Sequence, residues 1–335
     1  MKVVQTSAPP NAPLVPEREG LAEFAGDLVT YGNLNTPEKL IEHCHDADAI
    51  LVPGARFTRE VIEKLEKCRA LVRYGVGYDT IDVPAATEHG VVVVNIPDFC
   101  QPEVANHALV HLLDCAKKIT RLDRWMRAGN WGKDGQGRAP FLSPMGQIHG
   151  QTVGLVGFGA IARDFARRLA ALDMHILAYD PYVPAERAAA LGVRMVALDE
   201  LMRESDYVSV HVPLLPETHH IINAETLALM KPTAYLINTS RGPVVDEAAL
   251  IAALQVEKIA GAGLDVFEQE PIAADNPLLK MENVTVTPHT ASYADETFRI
   301  MMRRVGEEAA RTLRGQMPNT PVNPQVRDKL TWLTK

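Results

Sequence analysis

At 335 residues the chain is long for a single hydrophobic core and predicts two domains. Hydrophobic residues make up 47% and charged residues 23%, which is ordinary for a soluble globular protein, and a net charge of -8 argues against a nucleic-acid binder, which needs a basic face. Cys44, Cys68, Cys100 and Cys115 form no CxxC pair, so reduced thiols are expected rather than a disulfide framework or a metal site. Residues 1–10 lack a signal-peptide pattern and no apolar run reaches membrane length, so the expected compartment is the cytoplasm.

In chain order, residues 1–6, 48–52, 70–73 and 91–95 read as strands, and 37–44, 58–67 and 83–89 as helices. Such alternation predicts a parallel sheet covered on both faces. A long helix follows from Pro102 to about Met126, with proline in the first turn, where a missing N–H costs little. A glycine- and tryptophan-containing segment, 129–150, leads to a second alternating block. Its strands are expected at 152–156, 175–179, 207–210, 235–238, 259–264 and 284–286, and its helices at 160–172, 186–191, 224–230 and 247–255. A last helix, about 294–313, comes after that block is complete and is free to return to the first domain. The fold expected is α/β: two doubly wound, Rossmann-like domains.

The sequence over 152–162, T-V-G-L-V-G-F-G-A-I-A, runs from a buried strand through GxGxxA into a helix. Gly157 permits the tight turn, Gly159 lets the backbone approach a pyrophosphate, and Ala162 is small enough for close helix–strand packing. The helix start offers free N–H groups and a positive dipole end to phosphates. Asp180 ends the next strand, roughly 20 residues beyond the glycines, where a carboxylate accepts ribose hydroxyls and repels a 2′-phosphate. No arginine follows in Asp180-Pro181-Tyr182, which favours NAD over NADP.

Three later segments carry reactive groups. Residues 235–243 are a buried strand ending in Asn238-Thr239-Ser240-Arg241; a guanidinium at the carboxyl end of a parallel strand faces the ligand crevice and can grip a carboxylate in two charge-assisted bonds. Asp265, Glu268 and Glu270 place three carboxylates beyond another strand. His289 follows directly on the strand at 284–286, and histidine is the residue type suited to exchange, near neutral pH, the proton that accompanies hydride transfer. Spacing alone leaves open which carboxylate partners it.

Taken together, these motifs resemble the D-isomer-specific 2-hydroxyacid dehydrogenase family over most of the chain. G-V-G-Y-D over 75–79, V-N-I-P over 94–97, V-A-N-H over 104–107, the 157–162 turn, His211-Val212-Pro213, Asn238 to Arg241, Leu264 to Glu270 and Pro288 to Ser292 fall in the family's order. The resemblance implies a flavodoxin-like substrate domain, 1–100 plus 293–335, and an NAD-binding domain, 101–292, with an active-site cleft between them in a homodimer. It implies that Arg241 binds the substrate carboxylate, helped by the Val76 and Gly77 N–H groups. His289 becomes the acid/base, Glu270 its hydrogen-bonded partner, and Asp265 a neighbour of the nicotinamide carboxamide. Gly157, Gly159, Ala160, Ile161, Asp180, His211, Pro213, Thr239, Ser240, Asp265 and Ser292 become cofactor contacts. No metal, nucleic acid or membrane partner is expected.

The implied activity is NAD(H)-dependent interconversion of a small D-2-hydroxy acid and its 2-oxo acid. Related branches leave two alternatives: a phosphite or phosphonate dehydrogenase, and an NAD(H)-sensing co-repressor-like interaction protein. The sequence departs from the family at Asn106, where a glutamate is usual, and it shows no counterpart of the extra C-terminal regulatory domain of some phosphoglycerate dehydrogenases.

Overall fold

Short β-branched runs, buried on both sides, form two separate parallel sheets. The protein is described here by a computed structural model covering residues 1–133 and 137–334, so residues 134–136 of the glycine- and tryptophan-containing segment lie outside the described residues. The chain divides into two compact units, Met1–Cys100 with Tyr293–Lys335, and Gln101–Ser292.

In the first unit, β1 (Val3–Gln5), β2 (Leu28–Thr30), β3 (Ala49–Val52), β4 (Ala70–Arg73) and β5 (Val92–Val94) are all parallel, in the order β2-β1-β3-β4-β5. This is the flavodoxin-like order. Alternate residues feed opposite core layers: Ile50, Val52, Leu71 and Val93 on one face, Leu51, Val72, Val92 and Val94 on the other. Each fully buried side chain of this size contributes about 1.5–3 kcal/mol relative to exposure. Helices α1 (Val15–Leu21), α2 (Pro37–Cys44), α3 (Arg59–Ile62) and α4 (Val83–Glu88) link the strands. Thr36 caps α2 and Asp82 caps α4 through their side-chain oxygens, and each helix has proline in its first turn.

The second unit opens with α5 (Gln101–Lys117) and α6 (Ile119–Arg127), followed by β6 (Thr152–Val156), α7 (Ala160–Ala170), β7 (His175–Tyr179), α8 (Ala185–Ala189), β8 (Arg194–Met195), α9 (Leu198–Glu204) and β9 (Tyr207–Val210). Then come α10 (Ala224–Leu229), β10 (Tyr235–Asn238), α11 (Glu247–Gln255), β11 (Gly261–Leu264) and β12 (Val284–Val286). The sheet order is β12-β11-β10-β9-β6-β7-β8, a Rossmann arrangement extended by one strand, whose order reverses between β6 and β9. After this unit, α12 (Asp295–Leu313) returns to the first, where Met301, Val305, Ala309 and Leu313 join the layer containing Val3, Leu51 and Val72.

The structure amends several expected elements. The helix predicted to Met126 breaks at Lys118, whose φ of 55° places it in the left-handed region and divides α5 from α6. The helix expected over 58–67 holds only from Arg59 to Ile62. Strands β2 and β8 and helices α1 and α9 were not foreseen; β8 has only two residues, neither of them buried, and β2 has one buried residue of three, so neither shows the apolar run of a central strand. All four cysteines are buried free thiols, and burial pushes Cys44 up to about 12, which keeps it unreactive. Among the described residues no helix is long and apolar enough to cross a membrane.

Candidate active site

The glycine turn sits at the strand-order reversal. Gly157 has φ 91°, and a Cβ there would stand 2.8 Å from Val212 and 3.0 Å from the His211 carbonyl carbon, so the turn after β6 presses against the chain leaving β9. Gly159 is the N-cap of α7; Gly159 and Ala160 are exposed, Ile161 is half-buried and Ala162 is buried in the helix–sheet interface. Asp180, after β7, accepts the Phe158 N–H on Oδ2 and the Tyr182 N–H on Oδ1, both at 2.9 Å. One carboxylate thus ties the glycine turn to the end of β7. Arg163 on α7 donates to the Phe158 carbonyl and feels the Asp180 charge, so a cation stands near Asp180 that is not adjacent to it in sequence.

His211 packs its ring on Phe165 at 5.6 Å and pairs its Nε2 with the Ser209 hydroxyl at 2.9 Å. Burial lowers its pKa to about 4, so it is neutral at physiological pH. Pro213 is exposed, and its carbonyl accepts from Thr218. These residues fit a dinucleotide on two observations. A Cβ on Gly159 would meet nothing within 4 Å, leaving open space over the α7 N-terminus, and the buried Thr239 hydroxyl has no hydrogen-bond partner among the described residues.

Arg241, Glu270 and His289 come from three loops at the carboxyl ends of β10, β11 and β12, and the sheet brings these loops together. Asn238, buried at the end of β10, shapes the Arg241 turn: its Oδ1 accepts the Ser240 N–H and hydroxyl, and its Nδ2 donates to the Arg241 carbonyl at 2.9 Å. Arg241 also donates to the Ser240 carbonyl. The next residue, Gly242, lies so close to the following loop that a Cβ would fall 1.9 Å from the Phe267 carbonyl oxygen. That contact sets the Arg241 turn directly against the loop carrying Glu270.

Glu270 Oε1 accepts the Phe267 N–H at 3.0 Å, and Oε2 lies 2.7 Å from His289 Nδ1. Partial burial opposes ionisation of Glu270. The hydrogen bonds from His289 and the Phe267 N–H, with the charges of His289 and Arg241, outweigh it and hold the carboxyl below its ordinary value. An ionised carboxylate can only accept, so Nδ1 carries a proton and Nε2 is the ring atom left for proton exchange. His289 is exposed and has φ 52°, left-handed backbone for a non-glycine residue.

Asp265 is fully buried. Its carboxylate accepts the Thr287 hydroxyl at 2.6 Å and the Thr290 and Ala291 N–H groups at 2.9 and 2.8 Å, while its carbonyl accepts the His289 N–H at 2.8 Å. It therefore folds the His289 loop around itself, a scaffolding part that its place in the sequence did not reveal. Ser292, half-buried, ends this loop. Val76 and Gly77 lie in the first unit, on the loop after β4, where Asn95 Nδ2 donates to the Val76 carbonyl at 2.7 Å. Asn106 accepts from Arg168 Nε at 2.7 Å, a bond that an amide oxygen makes as a carboxylate would. His107, which the V-A-N-H block contains without a role, and His111, for which the sequence offers no signal, both reach Thr287 from α5.

The family model described as D-isomer specific 2-hydroxyacid dehydrogenase, NAD binding domain, matches residues 109–291. A glyoxylate reductase of Korarchaeum cryptofilum is 43% identical over 317 residues, covering 93% of this chain and 94% of its own. A D-3-phosphoglycerate dehydrogenase of Methanocaldococcus jannaschii is 40% identical over 93% of this chain, which spans only 58% of that longer relative. Among solved structures, D-lactate dehydrogenase from Aquifex aeolicus, complexed with NAD and lactic acid, superposes with a TM-score of 0.84 at 31% identity, covering 96% of this chain and 99% of that one. Match length, identity and coverage agree with the order of strand-end residues found in the site: the chain belongs to the D-isomer specific 2-hydroxyacid dehydrogenase family.

Proposed function

We propose that the protein is an NAD(H)-dependent oxidoreductase that interconverts a small D-2-hydroxy acid and its 2-oxo acid, with His289 as acid/base. The observation that carries this reading is the 2.7 Å pair of Glu270 Oε2 with His289 Nδ1, beside the turn that presents Arg241. Bound NADH supplies the hydride to the substrate's C2 carbon. Arg241 holds the substrate carboxylate, with the Val76 and Gly77 N–H groups assigned to the same anion. His289 delivers its Nε2 proton to the carbonyl oxygen as negative charge develops there, and takes it back in the oxidative direction. Glu270 keeps the ring oriented, its carboxylate accepting from Nδ1 so that Nε2 faces the reacting oxygen. Asp265 remains the buried support of the loop.

The cofactor residues are Gly157, Gly159, Ala160, Ile161, Asp180, His211, Pro213, Thr239, Ser240 and Ser292, with Asp265, fully buried, acting on the cofactor side through the loop it supports, and NAD is preferred over NADP because the Asp180 carboxylate repels a 2′-phosphate. First-unit residues 1–100 and 293–335 are assigned to substrate and 101–292 to cofactor, in a homodimer. Loss of nicotinamide absorbance with NADH and a panel of 2-oxo acids, glyoxylate and hydroxypyruvate included, tests the reading. Turnover that falls about 10²–10⁴-fold in His289→Gln supports it. Tight NADH binding with no turnover across the panel, or activity confined to phosphite and NAD, overturns it.

A further inference from the structure

Helix α5 carries two histidines that the proposed chemistry does not use. His107 and His111, one turn apart, direct their Nε2 atoms to the same Thr287 hydroxyl, at 2.9 and 3.2 Å, and their rings meet edge-on at 4.9 Å. Thr287 Oγ1 is also 2.6 Å from Asp265 Oδ1, and His107 Nε2 stands 3.5 Å from that same oxygen. A hydroxyl has one proton and two lone pairs, whereas an ionised carboxylate only accepts. The directions of all three bonds follow: Thr287 donates to Asp265, and both imidazoles donate to Thr287 from Nε2. His111 is kept neutral, its pKa brought down to about 4 by burial and the neighbouring His107, and its buried Nδ1 has no partner among the described residues. That is the state expected of an Nε2–H tautomer.

Thr287 stands two residues before His289, and its partner Asp265 also holds Thr290, Ala291 and the His289 N–H. A left-handed non-glycine residue is intrinsically unfavourable and persists only where its surroundings over-determine it. The Thr287 hydroxyl is a side-chain link between this loop and α5. We propose that Thr287 is a positioning residue for His289, and that His107 and His111 saturate its hydroxyl so that the loop keeps the imidazole in register with Glu270. The inference rests on the reading of His289 as the acid/base.

Thr287→Val keeps the shape of the side chain but removes the acceptor of two imidazole N–H groups and one donor to Asp265 Oδ1, which keeps the Thr290 N–H. The expected result is a kcat about tenfold lower or more, with the NADH dissociation constant within about threefold of wild type. Thr287→Ser restores kcat to within about threefold. His107→Leu lowers kcat, and His107→Gln, whose amide can donate in place of Nε2–H, recovers part of the loss. Hydrogen–deuterium exchange of the peptide spanning residues 287–292 is measured on the same proteins without substrate. It quickens in Thr287→Val and not in Thr287→Ser, a readout that stands even if no 2-oxo acid is turned over. Should Thr287→Val not fold, the His107 pair carries the same comparison. Wild-type kcat with unchanged exchange in the hydroxyl-free or His107→Leu variants overturns the proposal, as does an equal loss in Thr287→Ser.

Discussion

Gly242→Ala should disable the enzyme without touching any reacting group. The new Cβ would lie 1.9 Å from the Phe267 carbonyl oxygen, 2.0 Å from its carbon and 2.5 Å from the Glu268 nitrogen, all backbone atoms that no rotamer change can move aside. Reaching even 3.0 Å, the shortest separation that real Cβ atoms show, requires the two loops to part by about 1.1 Å. Glu270 lies on the loop that must retreat, and its 2.7 Å bond to His289 lengthens by up to about 1.1 Å, enough at the limit to break it. A hydrogen bond to a charged group contributes about 1.5–3 kcal/mol, which corresponds to a loss of roughly one to two orders of magnitude in kcat. The assay is NADH oxidation with the best substrate of the panel, run beside thermal unfolding to show that the variant is folded. A folded Gly242→Ala enzyme with kcat within twofold of wild type would falsify the claim that this contact sets Glu270 in place.

Three further outcomes are expected. Asp180→Ser should weaken NADH binding about tenfold and raise the NADPH-to-NADH affinity ratio, measured by nicotinamide fluorescence, because the acceptor is lost while Arg163 stays nearby; an unchanged ratio removes Asp180 from cofactor selection. Arg241→Lys should raise KM for the 2-oxo acid about tenfold or more with a smaller effect on kcat, since a point charge cannot reproduce a bidentate grip; steady-state kinetics with KM unmoved would count against that assignment. The folded Glu270 carboxyl is held below its ordinary value of 4.5, so its contribution to stability is full above that pH and is lost as pH falls through the folded value. The melting-temperature difference between wild type and Glu270→Gln should therefore be present near neutrality and shrink in acid, modestly because the pair is partly exposed; a difference that grows on acidification contradicts the sign.

Much of the fold was legible because its signals are local. Buried runs such as A-I-L-V over 49–52 and V-V-V over 92–94 declare strands of a parallel sheet, and G-F-G-A-I-A over 157–162 needs only its flanking strand and helix to declare a phosphate-binding turn. Strands β2 and β8 escaped, since pairing with neighbours rather than their own pattern makes them strands: β2 is held by register with β1, and β8 by register with β7. The break at Lys118 escaped for a similar reason, because neither glycine nor proline marks it.

The candidate site divides along the same line. Residue types and order determined that a guanidinium, carboxylates and an imidazole follow successive strands, because the carboxyl ends of parallel strands lie side by side. Tertiary structure decided which carboxylate serves which partner. Glu270 and Asp265 are five residues apart on one loop, yet one turns to the His289 ring and the other is buried beneath its backbone. It also recruited His107 and His111, more than 170 residues away in sequence from Thr287, onto one hydroxyl. Hydrogen bonds act over about 3 Å and carry no memory of sequence distance, so such pairings exist only once packing has set the loops.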